Sequence, residues 1–301
     1  MPRDTDFIIR ASSLPTWADC ERRWAADNVS SLARRCADER QQSKDPSRKN
    51  FGALFGSAGH LGTQSMLEDR LHGREVDYWK AVDLAKERLQ SNVLTEIAAK
   101  RQLHWDQVTK NLDIGLAQLE AVLEKMSAFV LTTRPLLIEQ ELEMEWASYV
   151  VLRGHPDLID CDGDTIDWKF GARKANYIGQ FGGYGWLLQN NKLEVDVEPR
   201  DFVVVHPPRS SWDKKAHYVK QKEIEVFRYD FDACIESAAK QLDGITRAVK
   251  SWESKKNIWV FNANPNSKYC TKTTCRAYGT SFCDQWIEEV SKEMGDEWEM
   301  N

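Results

Sequence analysis

No stretch of this chain approaches the ~20 consecutive apolar residues that a bilayer-spanning helix requires. The opening residues MPRDTDFIIR also lack the apolar core of a secretion signal, so a cytoplasmic location is expected. Positive charge is not in excess. The net charge of −6 argues against a generally basic nucleic-acid binder and confines any cationic surface to local patches. The Gly-rich loop ending in Gly-Lys-Ser/Thr that cradles phosphates in motor ATPases is missing, so no helicase engine is expected. No internal repeat or low-complexity linker divides the chain. Seven cysteines, an odd number in a chain without an export signal, make a disulfide framework a poor reading.

What is there suffices for a folded core: 42% hydrophobic and 29% charged residues, with twelve Trp available for packing or stacking. Ser12-Ser13 can cap a helix that starts near Leu14-Pro15 and continues through Trp17, Cys20 and Trp24. The polar stretch 34–50 reads as a loop, and Phe51–Leu71 as a helix whose small residues permit close packing. Helical periodicity runs on from about Asp77 to Leu131, broken near Gln102–His104. After Pro135, residues 136–146 alternate apolar and acidic side chains, a strand with Glu139, Glu141, Glu143 and Glu145 on one face. A helix over 175–189, strands over 202–206 and 217–227, and helices over 231–254 and 285–298 complete the expectation. One domain over 1–301 is the simplest partition. It comprises N-terminal helices (1–75), a helical insertion (76–134), a catalytic core (135–260) and a cysteine segment (261–301).

Chemistry concentrates between Arg153 and Tyr184. Asp157 closes a short apolar strand, Cys161-Asp162-Gly163-Asp164 forms a turn, and Thr165–Lys169 returns as a second strand. Side chains repeat every two residues along a strand, so Asp167 and Lys169 share a face and can meet Asp157 at one end. Two carboxylates beside an ammonium make a divalent-metal site; the bland alternative is a surface hairpin with turn acids and a solvated lysine. Glu141 is the least improbable acidic contributor from the preceding strand. Cys270, Cys275 and Cys283 crowd together near the C-terminus and suggest metal ligation. No His follows His217 to complete a zinc site, and Cys20 is the candidate for a distant fourth ligand. The loop carrying Arg209, Lys214 and Lys215, with Trp212 able to stack on a ring, and Arg173 and Lys174 beyond Lys169, form the candidate cationic patch.

Taken together, Asp157, Asp167 and Lys169, the run Gly56-Ser57-Ala58-Gly59-His60 and the Gln180-x-x-x-Tyr184 pair resemble the PD-(D/E)XK nuclease superfamily, in particular its RecB-like branch. The second acid is Asp instead of the commoner Glu, which the motif allows. The resemblance implies an α/β restriction-endonuclease-like core, a mixed central sheet flanked by helices. It implies Mg²⁺ or Mn²⁺ held by His60, Asp157, Asp167 and the Trp168 carbonyl, with Gln180 and Tyr184 organising the site or touching phosphate. The cationic patch and Trp212 would serve such a nuclease as its DNA contacts. Cys20 ahead of the core and three cysteines behind it resemble the iron–sulfur nucleases of that branch, including AddB-type and CRISPR spacer-acquisition nucleases. That likeness implies a [4Fe–4S] cluster joining the N- and C-terminal segments, with zinc as the alternative.

The expected activity is metal-dependent exonuclease action on linear DNA in recombination, repair or end-processing, as in a phage-type recombination exonuclease. A separate single-strand annealing protein would be its partner, and no membrane is involved. The alternatives are a spacer-acquisition-type nuclease within an integrase assembly, or a non-catalytic iron–sulfur DNA-binding subunit.

Overall fold

The computed structural model describes residues 7–42, 49–99, 103–105, 111–170, 176–191, 197–207, 211–213, 218–220, 222–271 and 274–283. Strand β1 (Phe7–Arg10) passes through a 3-10 turn into helix α1 (Leu14–Asp19), with Pro15 in the first turn. The helix expected to run through Cys20 breaks there. Cys20 takes extended backbone (φ −159°, ψ 108°), and α2 (Glu21–Asn28) restarts beyond it. The stretch expected as a loop over 34–50 is helical as far as Gln42, in α3 (Ser30–Gln42). Its Arg, Ala and Gln residues are sound helix formers, and buried Leu32 and Cys36 lie four apart on one face. Strand β2 (Lys49–Asn50) pairs with β3 (Leu103–His104). Between and beyond them run α4 (Phe51–Leu71), α5 (Tyr78–Ala98) and α6 (Leu112–Thr132), as the periodicity predicts. Asp77 and Asn111 cap α5 and α6 by accepting from the N–H groups of Lys80 and Ile114.

The single strand expected over 136–146 is two strands in two sheets, β4 (Pro135–Ile138) and β5 (Leu142–Ala147). The break falls at Glu139, which takes left-handed backbone at φ 48°. Strand β5 pairs with β6 (Val150–Gly154), and β6 with β1, in a three-stranded sheet. The chain then changes sheets again. Pro156 offers no N–H to a ladder, and pairing resumes only at β7 (Leu158–Asp160). Asp157 therefore lies in a crossing between sheets, not at the end of a strand. Strand β8 (Thr165–Trp168) returns antiparallel to β7 across the expected turn, with Gly163 at φ 87°.

Helix α7 (Ile178–Asn190) carries the chain over to β9 (Phe202–His206), parallel to β8. Strands β10 (Ser211–Asp213) and β11 (Tyr218–Lys220) pair with each other, whereas β12 (Glu225–Tyr229) pairs with β9. The strand expected over 217–227 is thus two pieces with different partners. Helix α8 (Phe231–Lys255) follows; the helix expected over 285–298 lies outside the described residues. The main sheet has the order β12-β9-β8-β7-β4, a mixed sheet flanked by helices as expected.

Alternation along these strands builds two apolar layers. Leu158, Ile166, Trp168, Val203 and Val205 face α4, α5 and α6. Ile159, Phe202 and Val204 face the opposite layer, which contains α7, α8, the N-terminal helices and the C-terminal segment. Helices α7 and α8 approach so closely that a Cβ at Gly182 would stand 1.8 Å from the Cys234 carbonyl oxygen. Gly182→Ala should therefore overpack this contact and cost about 2 kcal/mol or more of stability in urea unfolding. An unchanged midpoint would mean the helices separate freely.

Candidate active site

The ladder between β4 and β7 pairs Ile138 with Leu158, and its next rung is the Glu139 N–H donating to the Asp157 carbonyl at 3.1 Å. That rung sets Glu139 opposite Asp157. Asp157 Oδ2 accepts from the Trp168 N–H at 2.8 Å, and its Oδ1 lies 3.3 Å from His60 Nδ1. His60 arrives on α4. The absence of a side chain at Gly59 lets that helix lie against Phe170, where a Cβ would stand 2.8 Å from the ring. Glu139 Oε1 lies 3.9 Å from the same His60 nitrogen.

Asp167 sits between Ile166 and Trp168, so strand alternation turns it away from their layer and toward α7. There Gln180 Nε2 donates to Asp167 Oδ1 at 3.1 Å, and Lys169 forms an ion pair with Oδ2. Gln180 also donates to Tyr184 Oη at 2.8 Å, one helical turn on, and Tyr184 Oη donates to the His155 carbonyl at 3.0 Å. The Gln-x-x-x-Tyr pair is buried and grips Asp167 on one side and the sheet crossing on the other.

Burial and shared charge shape the protonation of these groups. Asp167 is 1% exposed, and burial together with the charge of Asp157 pushes its carboxyl up, against the opposing pull of Lys169. Burial alone would lower the Lys169 ammonium, but the charges of Asp167 and Asp157 outweigh it and hold the lysine protonated. His60 behaves likewise. Desolvation works against its charge, yet Asp157, Glu139 and Asp167 push it up to about 10.

Ligand atoms of His60, Glu139 and Asp157 all lie within 4.8 Å of one another, alone in this respect among the described residues. One imidazole and two carboxylates suit a hard divalent cation such as Mg²⁺ or Mn²⁺. A cleft of about 210 Å³ opens beside them, lined by Asp157, Asp167, Lys169, Gln180 and Tyr184. The family model for the PD-(D/E)XK nuclease superfamily matches residues 10–278. The chain belongs to the PD-(D/E)XK nuclease superfamily. No curated protein matches it.

In this PD-(D/E)XK protein the residues expected at the centre, His60, Asp157, Asp167, Lys169, Gln180 and Tyr184, come together. Trp168 contributes a backbone N–H to Asp157. Glu139 stands where sequence periodicity did not put it, because alternation placed it with three other acids on one face of a single strand. The available signal was length: an eleven-residue strand is about twice the usual. Glu141, the least improbable of the strand's four acids from sequence, lies 3.5 Å from Arg153 and 3.7 Å from His155. Arg173, Lys174, Arg209, Lys214 and Lys215 lie outside the described residues, and Trp212 belongs to β10 opposite Val219.

Cys20, Cys270, Cys275 and Cys283 line one cavity together with Arg22 and Arg23. No three of these sulfurs lie within 4.8 Å of one another, unlike the ligands of a single tetrahedral ion. Burial pushes the Cys275 thiol up to about 11 and Cys283 up to about 12, with the neighbouring cysteines adding to both. Arg22, fully buried, holds the two chain ends together. It donates from Nε to the Phe261 carbonyl at 2.9 Å, from Nη2 to that of Ile258 at 3.1 Å, and from Nη1 to that of Phe282.

Glu139→Gln should weaken Mn²⁺ binding at least about tenfold in calorimetric titration, since even outer-shell changes cost that much. Glu141→Gln should leave the affinity within about twofold of the parent. The reverse ranking would remove Glu139 from the site.

Proposed function

We propose that this protein is a metal-dependent DNA exonuclease that acts on linear DNA in recombination, repair or end-processing, as a phage-type recombination exonuclease does. The observation that carries the reading is the convergence of His60 and Glu139 on Asp157, beside a cleft that Asp157 lines together with Asp167 and its ion-pair partner Lys169. His60, Glu139 and Asp157 would hold Mg²⁺ or Mn²⁺, joined by Asp167 and the Trp168 carbonyl. The ion would supply Lewis-acid stabilisation of phosphate charge and a more acidic bound water. Lys169, held as an ammonium by two carboxylates, serves as an electrostatic donor to the phosphate and to the attacking water, not as its base. Gln180 and Tyr184 keep Asp167 and the Asp157 crossing in place and are positioning residues. Arg173, Lys174, Arg209, Trp212, Lys214 and Lys215 would carry the strand to this cleft, and a separate single-strand annealing protein would take up the product.

The same reading assigns a [4Fe–4S] cluster to Cys20, Cys270, Cys275 and Cys283. Its support is that all four face one cavity while spaced more widely than one tetrahedral ion allows. A cluster has several metal corners and suits ligands set farther apart. Arg22 and Arg23 beside the cavity would offset the negative charge of four thiolates.

With anaerobically purified protein and Mn²⁺, end-labelled linear DNA should be degraded and closed circular DNA spared. Chelator, Asp167→Ala or Lys169→Ala should each lower the rate at least about a hundredfold. Cutting of the circle would replace exonuclease with endonuclease action, and full activity in either variant would sink the assigned site. Separately, Cys275→Ser should abolish the brown visible absorbance of the anaerobic protein. A colourless parent containing stoichiometric zinc by elemental analysis would refute the cluster.

A further inference from the structure

The cleft has a second, cationic lip. Arg10 ends β1 and is the register partner of Arg153 in the parallel ladder with β6. Neighbouring strands stand roughly 5 Å apart and partners in register project to the same face. Both arginines line the cleft that holds Asp157, Asp167 and Lys169, and so does Ser12. Two cationic side chains on neighbouring strands repel unless acids or an anion offset their charge. Arg153 has its acids: Glu143 at 2.9 Å and Glu141 at 3.5 Å. Arg10 is exposed, and among the described residues its guanidinium makes no ion pair or hydrogen bond; the exposed Ser12 hydroxyl has no partner there either. Neither residue dangles. Ser13 Oγ donates to the Arg10 carbonyl at 2.7 Å, and buried Ala11 packs on α7, where a Cβ at Gly183 would stand 2.9 Å from the Ala11 methyl. The pair is thus fixed to the helix that carries Gln180 and Tyr184.

We propose that Arg10 and Ser12 form a phosphate subsite at this lip, gripping a phosphate of the substrate strand adjacent to the one that is cut. The proposal rests on the nuclease reading above. A guanidinium presents paired N–H donors to phosphate oxygens, and the hydroxyl adds a further donor. An uncompensated cation also offsets the repulsion that the buried carboxylates of Asp157 and Asp167 exert on an incoming polyanion. Internal phosphodiesters and terminal phosphates offer the same oxygens, so substrate ends distinguish them.

The test compares the parent protein, Arg10→Ala, Arg10→Lys and, as a control for net charge, Lys240→Ala on α8. Internally labelled linear duplexes bearing 5′-phosphate, 3′-phosphate or hydroxyl-only ends are titrated by anisotropy in Ca²⁺ across a salt series, and degradation is timed in Mn²⁺. Arg10→Ala should weaken binding about tenfold and flatten the slope of log K against log salt by about one. KM should rise with kcat largely kept. Arg10→Lys should restore the salt slope but not the full affinity. Lys240→Ala should match the parent. A deficit confined to one phosphorylated end identifies a terminal phosphate as the ligand, and a deficit on all three duplexes identifies an internal one. Parental affinity and salt slope in Arg10→Ala, with the protein folded and DNA degraded normally, overturns the subsite alone. A parent protein that neither binds nor degrades DNA overturns the nuclease reading itself.

Discussion

The hydrogen bond from the Trp168 N–H to Asp157 Oδ2, 2.8 Å long, is the constraint on which the site depends. Asp157 belongs to neither sheet; it lies where the chain leaves β6 for β7. Such a segment has only the single rung from Glu139 as a ladder bond to fix it. The bond to Trp168 ties it to β8, and Tyr184 Oη fixes the other side of Pro156 through the His155 carbonyl at 3.0 Å. Held from both sides, Asp157 keeps its second oxygen toward His60, and the rung from Glu139 brings a second carboxylate to the same point.

The charges gathered there explain why the site suits a cation. Asp157 and Asp167 are buried, where an unpaired charge is costly, and the cations closest to them and to Glu139 among the described residues are His60 and Lys169. Lys169 neutralises Asp167. The imidazole of His60 stands beside Asp157 and Glu139, and the charges of these acids and of Asp167 push the pKa of its ring proton up to about 10. A divalent ion would compete with that proton for the same three ligands, since a ligating imidazole must be neutral. The high proton affinity and the capacity for metal are two expressions of one excess of negative charge.

Local chemistry was legible in the sequence, and changes of sheet were not. The turn at Gly163, the shared face of Asp167 and Lys169 and the helical face of Gln180 and Tyr184 follow from short-range rules, and the structure has them. Apart from the polar stretch that proves helical in α3, the strand errors fall where the chain swaps partners: at Glu139, at Pro156 and between β11 and β12. Alternation says which residues face a core but not which sheet supplies it. Nothing in the residue pattern marks the break, yet φ at Glu139 is 48°, a conformation that surrounding packing must impose on a non-glycine residue. That departure from the pattern is what carries Glu139 into the site. Cys20 is similar: its helical period continues smoothly, yet the backbone opens there and places its thiol on the cavity shared with the C-terminal cysteines.

The two ends of the chain are joined before any metal is considered. Arg22 reaches three carbonyls from Ile258 to Phe282, and its guanidinium lies 5.1 Å from the Phe282 ring centroid. Asn264 Nδ2 donates to the Asp19 carbonyl at 2.9 Å, on the residue before Cys20. A cysteine cavity assembled by such contacts differs from a zinc finger, in which the ion creates the fold. Here a bound cluster would lock an arrangement that already exists. The consequence extends to the cleft, because only the 3-10 turn and the six-residue α1 separate Arg10 from Cys20. That short segment packs on α7 through Ala11, so the cysteine cavity and the cleft share one continuous stretch of buried backbone contacts.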